Sequence, residues 1–163
     1  MRIADALLDE IRREGLSTVR MLERVPAEKY DWRPHAKSMS VGELAFHIAT
    51  IPHRAADLLR AGDFDLVNAR PAVKVRDDVV LVDEYNRNLD EFRSVVDALD
   101  NEAIMQPFTL RRGDKVLLHM PKAGMIRTIG MNHSYHHRGQ LSVYLRMLDV
   151  PLPAIYGTSA DEI

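Results

Sequence analysis

The sequence contains no cysteine. That excludes disulfides, thiolate metal sites and any protein thiol acting as a nucleophile. A dominant charge is also missing, since 22 Lys and Arg stand against 24 Asp and Glu, for a formal net charge of −2. No strong field of either sign follows, so neither nucleic acid nor an anionic membrane is an implied partner. No stretch approaches the ~20 apolar residues of a membrane span. The opening MRIADALLDEIRREG scatters acids and bases where a secretory leader would be apolar. Repeats, low-complexity tracts and linkers are absent as well, which leaves 163 residues (1–163) as a single expected domain. The expected location is cytoplasmic.

What the sequence does have is helical periodicity. Its composition, 46% hydrophobic and 28% charged, is that of an ordinary globular chain. In the first predicted helix Ile3, Leu7, Ile11, Thr18 and Leu22 form one stripe, and Pro26 ends it. Asp31-Trp32-Arg33-Pro34 reads as a connector, because the residue before a proline is pushed away from helix. Ser40 and Glu43 make a capping box at the second helix, with Met39 placed to staple onto Leu44. Its stripe is Leu44, Ile48, Ile51, Ala55 and Leu58, and Pro52 inside that stripe predicts a kink or an early end. Residues 61–76, with Gly62 and Pro71, read as a long loop. A third helix is expected over 77–99, with Val82, Leu89, Phe92, Val96 and Leu99 inward. Residues 108–120 read as a short hairpin or extended excursion around Arg112-Gly113-Asp114. The fourth helix starts near Pro121 and runs to about residue 149, stopped by Pro151 and Pro153. The expected class is all-α, a four-helix bundle with room for a short hairpin before its last helix.

The chemistry concentrates in histidine, of which there are seven. On an ideal helix each residue turns about 100°. With Ile129 as zero, His133 falls at about 40° and His137 at about 80°, inside the apolar stripe that holds Ile126, Leu141, Tyr144 and Leu148. His136 falls at about −20°, on the edge of that stripe. Two imidazoles one turn apart in an apolar seam are either hydrogen-bonded core residues or ligands of one cation. His47 lies between Leu44 and Ile48 on the inward stripe of the second helix. By itself it reads as a core histidine, but facing bundle helices are where such groups meet to hold a metal. Three imidazoles without a fourth protein ligand make an open site, the pattern of catalytic zinc. Glu43, one turn before His47, is a candidate fourth ligand or general base, although capping alone explains it. His136 competes with His137 through i, i+3 spacing. His35, His53 and His119 have no partner at useful spacing and are expected on the surface. Gly130 and Gly139 each cost a helix about 1 kcal/mol relative to alanine, which reads either as close approach of another element or as neutral. Trp32 is placed either to cap the bundle end or to pack in the core.

Trp32-Arg33-Pro34, then Ser40 and His47, then His133-x-x-x-His137-Arg138-Gly139-Gln140, resemble the DinB-like superfamily, which includes YfiT-like proteins. The resemblance covers nearly the whole chain. It implies a four-helix bundle of up-down-down-up course, often a homodimer, with a divalent ion held by His47, His133 and His137. Members with assigned activity resemble metal-dependent thiol transferases working with bacillithiol, mycothiol or glutathione. The leading expectation is thus a metal-dependent S-transferase for detoxification or stress response, acting on a small-molecule substrate with a low-molecular-weight thiol. A metal-dependent hydrolase using an activated water, with Glu43 as base, is the first alternative. A non-catalytic metal-binding dimeric bundle is the second. Zinc is the default ion, with nickel, iron, manganese and copper also compatible with imidazole.

Overall fold

The boundaries of the helices follow from the chemistry of their ends. A computed structural model describes residues 2–69 and 80–162. Helix α1, Ile3–Leu22, opens on Arg2, whose backbone N–H donates to the Asp5 carboxylate at 2.9 Å. Helix α2, Val41–Ala61, opens on the expected capping box. Glu43 N–H donates to Ser40 Oγ at 3.2 Å, and Ser40 N–H donates to Glu43 Oε2 at 2.7 Å. These bonds satisfy amides that the first helical turn would otherwise leave without partners. Pro52 does not end α2, which continues for more than two turns to Ala61, with Pro52 buried. Helix α3, Leu81–Asp97, begins just after an extended Val80. The expected start at residues 77–79 lies outside the described residues.

The last helical stretch is built differently from the uniform helix expected. Helix α4, Lys122–Met125, leads into a π-helical segment, Ile126–Asn132, and then into helix α5, His133–Met147. Backbone angles at Met125, Ile126, Asn132 and His133 are all right-handed helical, so the three pieces form one rod.

The chain is mainly helical, as expected, and a small three-stranded sheet accompanies the helices, of which the expectation included only the hairpin. Strand β1, Asp63–Asp65, arises in the stretch read as loop, followed by a single 3₁₀ turn at Leu66–Asn68. Strands β2, Pro107–Arg112, and β3, Lys115–Pro121, form the expected hairpin, with Gly113 at φ +57° in its turn. The order is β1-β2-β3, with β1 parallel to β2 and β2 antiparallel to β3. Asp65 ties this edge together, because Arg111 Nη1 donates to its carboxylate at 2.7 Å and Gly113 N–H at 3.0 Å. A loop carrying only three consecutive extended residues gives no period-two pattern to read.

Packing falls into two apolar clusters. One joins Leu7 and Ile11 to Ala55, Leu59, Phe92, Val96, Phe108, Met125 and Ile126. The other joins Leu22, Leu44, Ile48, Leu81, Tyr85, Leu141, Tyr144 and Leu145, with Met39 and Trp32 against it. Most stripe residues are inward as expected, but Ile3 is 40% exposed, and Leu58, Val82, Leu89 and Leu99 are half-buried. Trp32 joins both of its expected roles. Its carbonyl accepts from Val41 N–H at the start of α2, and its ring meets Tyr144 edge-on at 5.7 Å. No described helix is long and apolar enough to cross a membrane.

Candidate metal centre

Leu44 and Ile48 are completely buried, and this fixes the rotation of α2 so that His47 between them faces inward. On α5 the buried residues Ser134, Arg138, Leu141 and Leu145 set the rotation in the same way. His133 and His137 then sit on the flank of that face and are half-buried. The consequence is convergence of three Nε2 atoms. His47 Nε2 is 3.3 Å from His133 Nε2, which is 2.9 Å from His137 Nε2. All three ligand atoms lie within 4.8 Å of one another, a group that could hold a metal ion.

The tautomer of His137 follows from its neighbours. Gln140 Nε2 donates to the Tyr144 hydroxyl at 3.1 Å, so Gln140 Oε1 is the atom that accepts from His137 Nδ1–H at 3.0 Å. Neutral His137 therefore directs the lone pair of Nε2 into the cluster. A single proton on His133 could satisfy one of its two contacts and not both. A cation at the centre takes all three lone pairs. Metal–nitrogen bonds of about 2.0–2.1 Å place tetrahedral imidazole nitrogens about 3.3 Å apart, so the donor set fits a divalent ion. The chain Trp32, Tyr144, Gln140, His137 is the kind of outer support that orients a ligand histidine.

Electrostatics keep the rings neutral. Burial, followed by the neighbouring His137 and His133 and then Arg54, pulls His47 down to about 4. Burial, followed by His137, His136 and Arg54, pulls His133 down to about 4 as well. His137 is also lowered, by burial foremost, against an opposing bond from Gln140. Neutral imidazole is the form a metal requires.

The other sequence candidates are placed elsewhere. The exposed His136 packs its ring against His137 at 4.8 Å and does not join the three convergent nitrogens. The Glu43 carboxylate accepts from Ser40 N–H and lies 3.5 Å from Arg33, and it too stands outside that group. His35 and His119 are exposed, as expected. His53 is exposed but has partners that spacing along one helix did not fully reveal. Its Nδ1 contacts Glu91 at 2.7 Å across to α3, and its Nε2 is 3.5 Å from Asp57. Arg60 binds both carboxylates, at 2.6 and 3.2 Å, so this second cluster reads as an ion-pair network.

Sequence reasoning missed the supporting residues. Gln140 and Arg138 stand in the HRGQ string, but a string does not say what they touch. Arg138 is only 3% exposed and pairs with Glu14 at 2.6 Å. It also donates to Thr18 Oγ1 and to the Tyr156 hydroxyl. One turn of α5 thus carries a histidine of the convergent group and, on its other side, the cation that anchors it to α1.

Comparison with known proteins bears on the family and the fold. A model of the DinB family matches residues 1–163. The uncharacterized protein YjoA of Bacillus subtilis (strain 168) is 26% identical over 131 residues, spanning 79% of this chain and 80% of that one. The crystal structure of the DinB-like YjoA from Bacillus subtilis superposes with a TM-score of 0.72 at 20% identity, covering 94% of this chain and 99% of that one. A DinB-like protein from Bacillus cereus ATCC 10987 gives 0.66 at 20% identity, over 93% and 97% of the two chains. At such identity these structures speak for the fold alone.

Proposed function

The chain belongs to the DinB family, and from that premise we propose that it is a divalent-metal-dependent enzyme that joins a small thiol to an electrophile. His47, His133 and His137 are the proposed ligands. When bound there, a divalent ion supplies Lewis acidity that favours the thiolate form of a thiol. The chain itself supplies three half-buried, neutral imidazoles and a hydrogen bond from His137 to Gln140 that fixes one of them.

The observation that carries the reading is that three imidazole nitrogens converge with no carboxylate among them. An open site without an anionic ligand keeps its full charge for an incoming anion. Hydrolysis by a base-assisted route would ask in addition for a carboxylate beside the ion, although an ion can also generate hydroxide from its own bound water. The described carboxylate nearest in sequence, Glu43, is engaged by Ser40 and Arg33, which supports thiol chemistry over base-assisted hydrolysis.

Metal analysis of untagged protein is expected to give one ion per chain, lost in His47→Ala, and to decide among zinc, nickel, iron, manganese and copper. Stoichiometric metal retained in that variant refutes the ligand set. Conjugation of monochlorobimane by a panel of small thiols should then depend on added metal. Metal-bound protein that accelerates none of them refutes the transferase reading.

A further inference from the structure

The charge balance around the three histidines bears on what the site accepts. The ligand set is neutral, and among the described residues no carboxylate belongs to it. The charged side chain one heptad beyond His47 on α2 is a cation, Arg54. Seven residues separate Arg54 from His47 on α2, which returns it to within about 20° of the same helix face, about 10.5 Å farther along the axis. Helical side chains lean toward the N-terminus, so Arg54 leans back toward His47.

Arg54 is also uncommitted. His53 and Arg60, its basic neighbours on α2, are both paired with Asp57 and Glu91. Among the described residues Arg54 makes no ion pair and no hydrogen bond, and it is exposed. An exposed arginine beside a bound cation is unfavourable for the protein alone and favourable once an anion arrives. Guanidinium is suited to a carboxylate, which it can grip with two parallel hydrogen bonds.

We infer that Arg54 is a specificity residue that binds a carboxylate on the substrate, so the site takes small molecules bearing a carboxylate as well as a metal-seeking donor atom. The inference rests on the three-histidine site proposed above. Its role is to hold and select the ligand; no bond changes at Arg54.

The test uses Co(II)-loaded full-length protein and follows the optical bands of thiolate ligation. Mercaptopropionate and the longer mercaptohexanoate are titrated against uncharged mercaptoethanol. At least one mercaptocarboxylate should bind about tenfold more tightly than mercaptoethanol, the size expected of one charge-assisted contact. Arg54→Gln should abolish that preference while leaving Co(II) bound and mercaptoethanol ligating it, and Arg54→Lys should restore part of it. Attraction to the ion alone would survive Arg54→Gln, so a preference that persists there overturns the inference. So does wild-type protein with no preference, or a variant that weakens both thiol classes equally. Failure of wild-type protein to take up Co(II) refutes the three-histidine site itself, a different result from any of these.

Discussion

At the residue scale the informative property of His47 and His133 is that folding keeps them neutral. Both are held at about 4 against an ordinary value of 6.5, chiefly by burial. The sign of the linkage follows. Below about pH 6.5 the unfolded chain takes up protons that the folded, metal-free protein refuses, so stability falls as pH drops toward 4 and is flat above 6.5. The urea midpoint of metal-free protein is therefore expected to be lower at about pH 5 than at about pH 7. The double variant His47→Ala/His133→Ala should lose most of that difference. A pH dependence as large as the wild type's would mean that other groups cause it. These residues were also the most legible in the sequence, because an imidazole in an apolar stripe is conspicuous whatever its role. Gln140 was not legible. Its part depends on which of its two amide atoms faces His137, and Tyr144 decides that.

At the element scale, periodicity located the helices but not their winding. Wheel angles counted from Ile129 assume α-helical turns, and Ile129 lies in the π-helical segment. Beyond that segment, the buried set of α5 includes Ser134 and Arg138. The wheel puts Ser134 at about 140° and Arg138 at about 180°, well past the histidines. The histidines consequently end on a half-buried flank, open enough to admit a ligand. Gly130 and Gly139 of this rod separate cleanly. A Cβ on Gly130 would lie 2.6 Å from Phe92 Cζ, and Phe92 is 2% exposed and cannot swing aside. A Cβ on Gly139 would meet nothing within 4 Å. Close approach, one of the two readings for each, holds within the chain for Gly130 alone. Gly130→Ala should destabilise by roughly 1–3 kcal/mol through overpacking, less whatever helix propensity returns. Gly139→Ala should instead stabilise by about 1 kcal/mol. Urea denaturation of the two variants side by side checks the opposite signs, and equal signs would contradict the packing described for Phe92.

At the scale of the whole molecule, the convergence of the three histidines depends on α5 holding its rotation against α2, and α1 contributes to that from the far side. Arg138 reaches from α5 to the Glu14 carboxylate and backbone carbonyl and to Thr18, all on α1. The C-terminal segment closes the arrangement. The Tyr156 hydroxyl accepts from Arg138 at 2.6 Å and donates to Glu14 at 2.7 Å, while Glu162 pairs with Arg20 and Asp161 with Arg146. None of this was readable from periodicity. A charged residue opposite the apolar stripe on the wheel looks solvent-facing until a third helix and a returning tail cover it. The pair carries a definite energetic expectation. Removing one member of a buried pair strands the other, at about 3–5 kcal/mol. Glu14 is 19% exposed and keeps Tyr156, so Arg138→Met should fall at the lower end, about 3 kcal/mol. Replacing both charges, Arg138→Met with Glu14→Leu, removes the stranded carboxylate and should recover much of that loss. If α5 then keeps its rotation, the double variant also keeps its metal, whereas the single variant binds metal more weakly. Paired urea and metal titrations of the three proteins decide it: a double variant less stable than the single one would show that the ion pair itself, and not the cost of breaking it, holds α1 to α5.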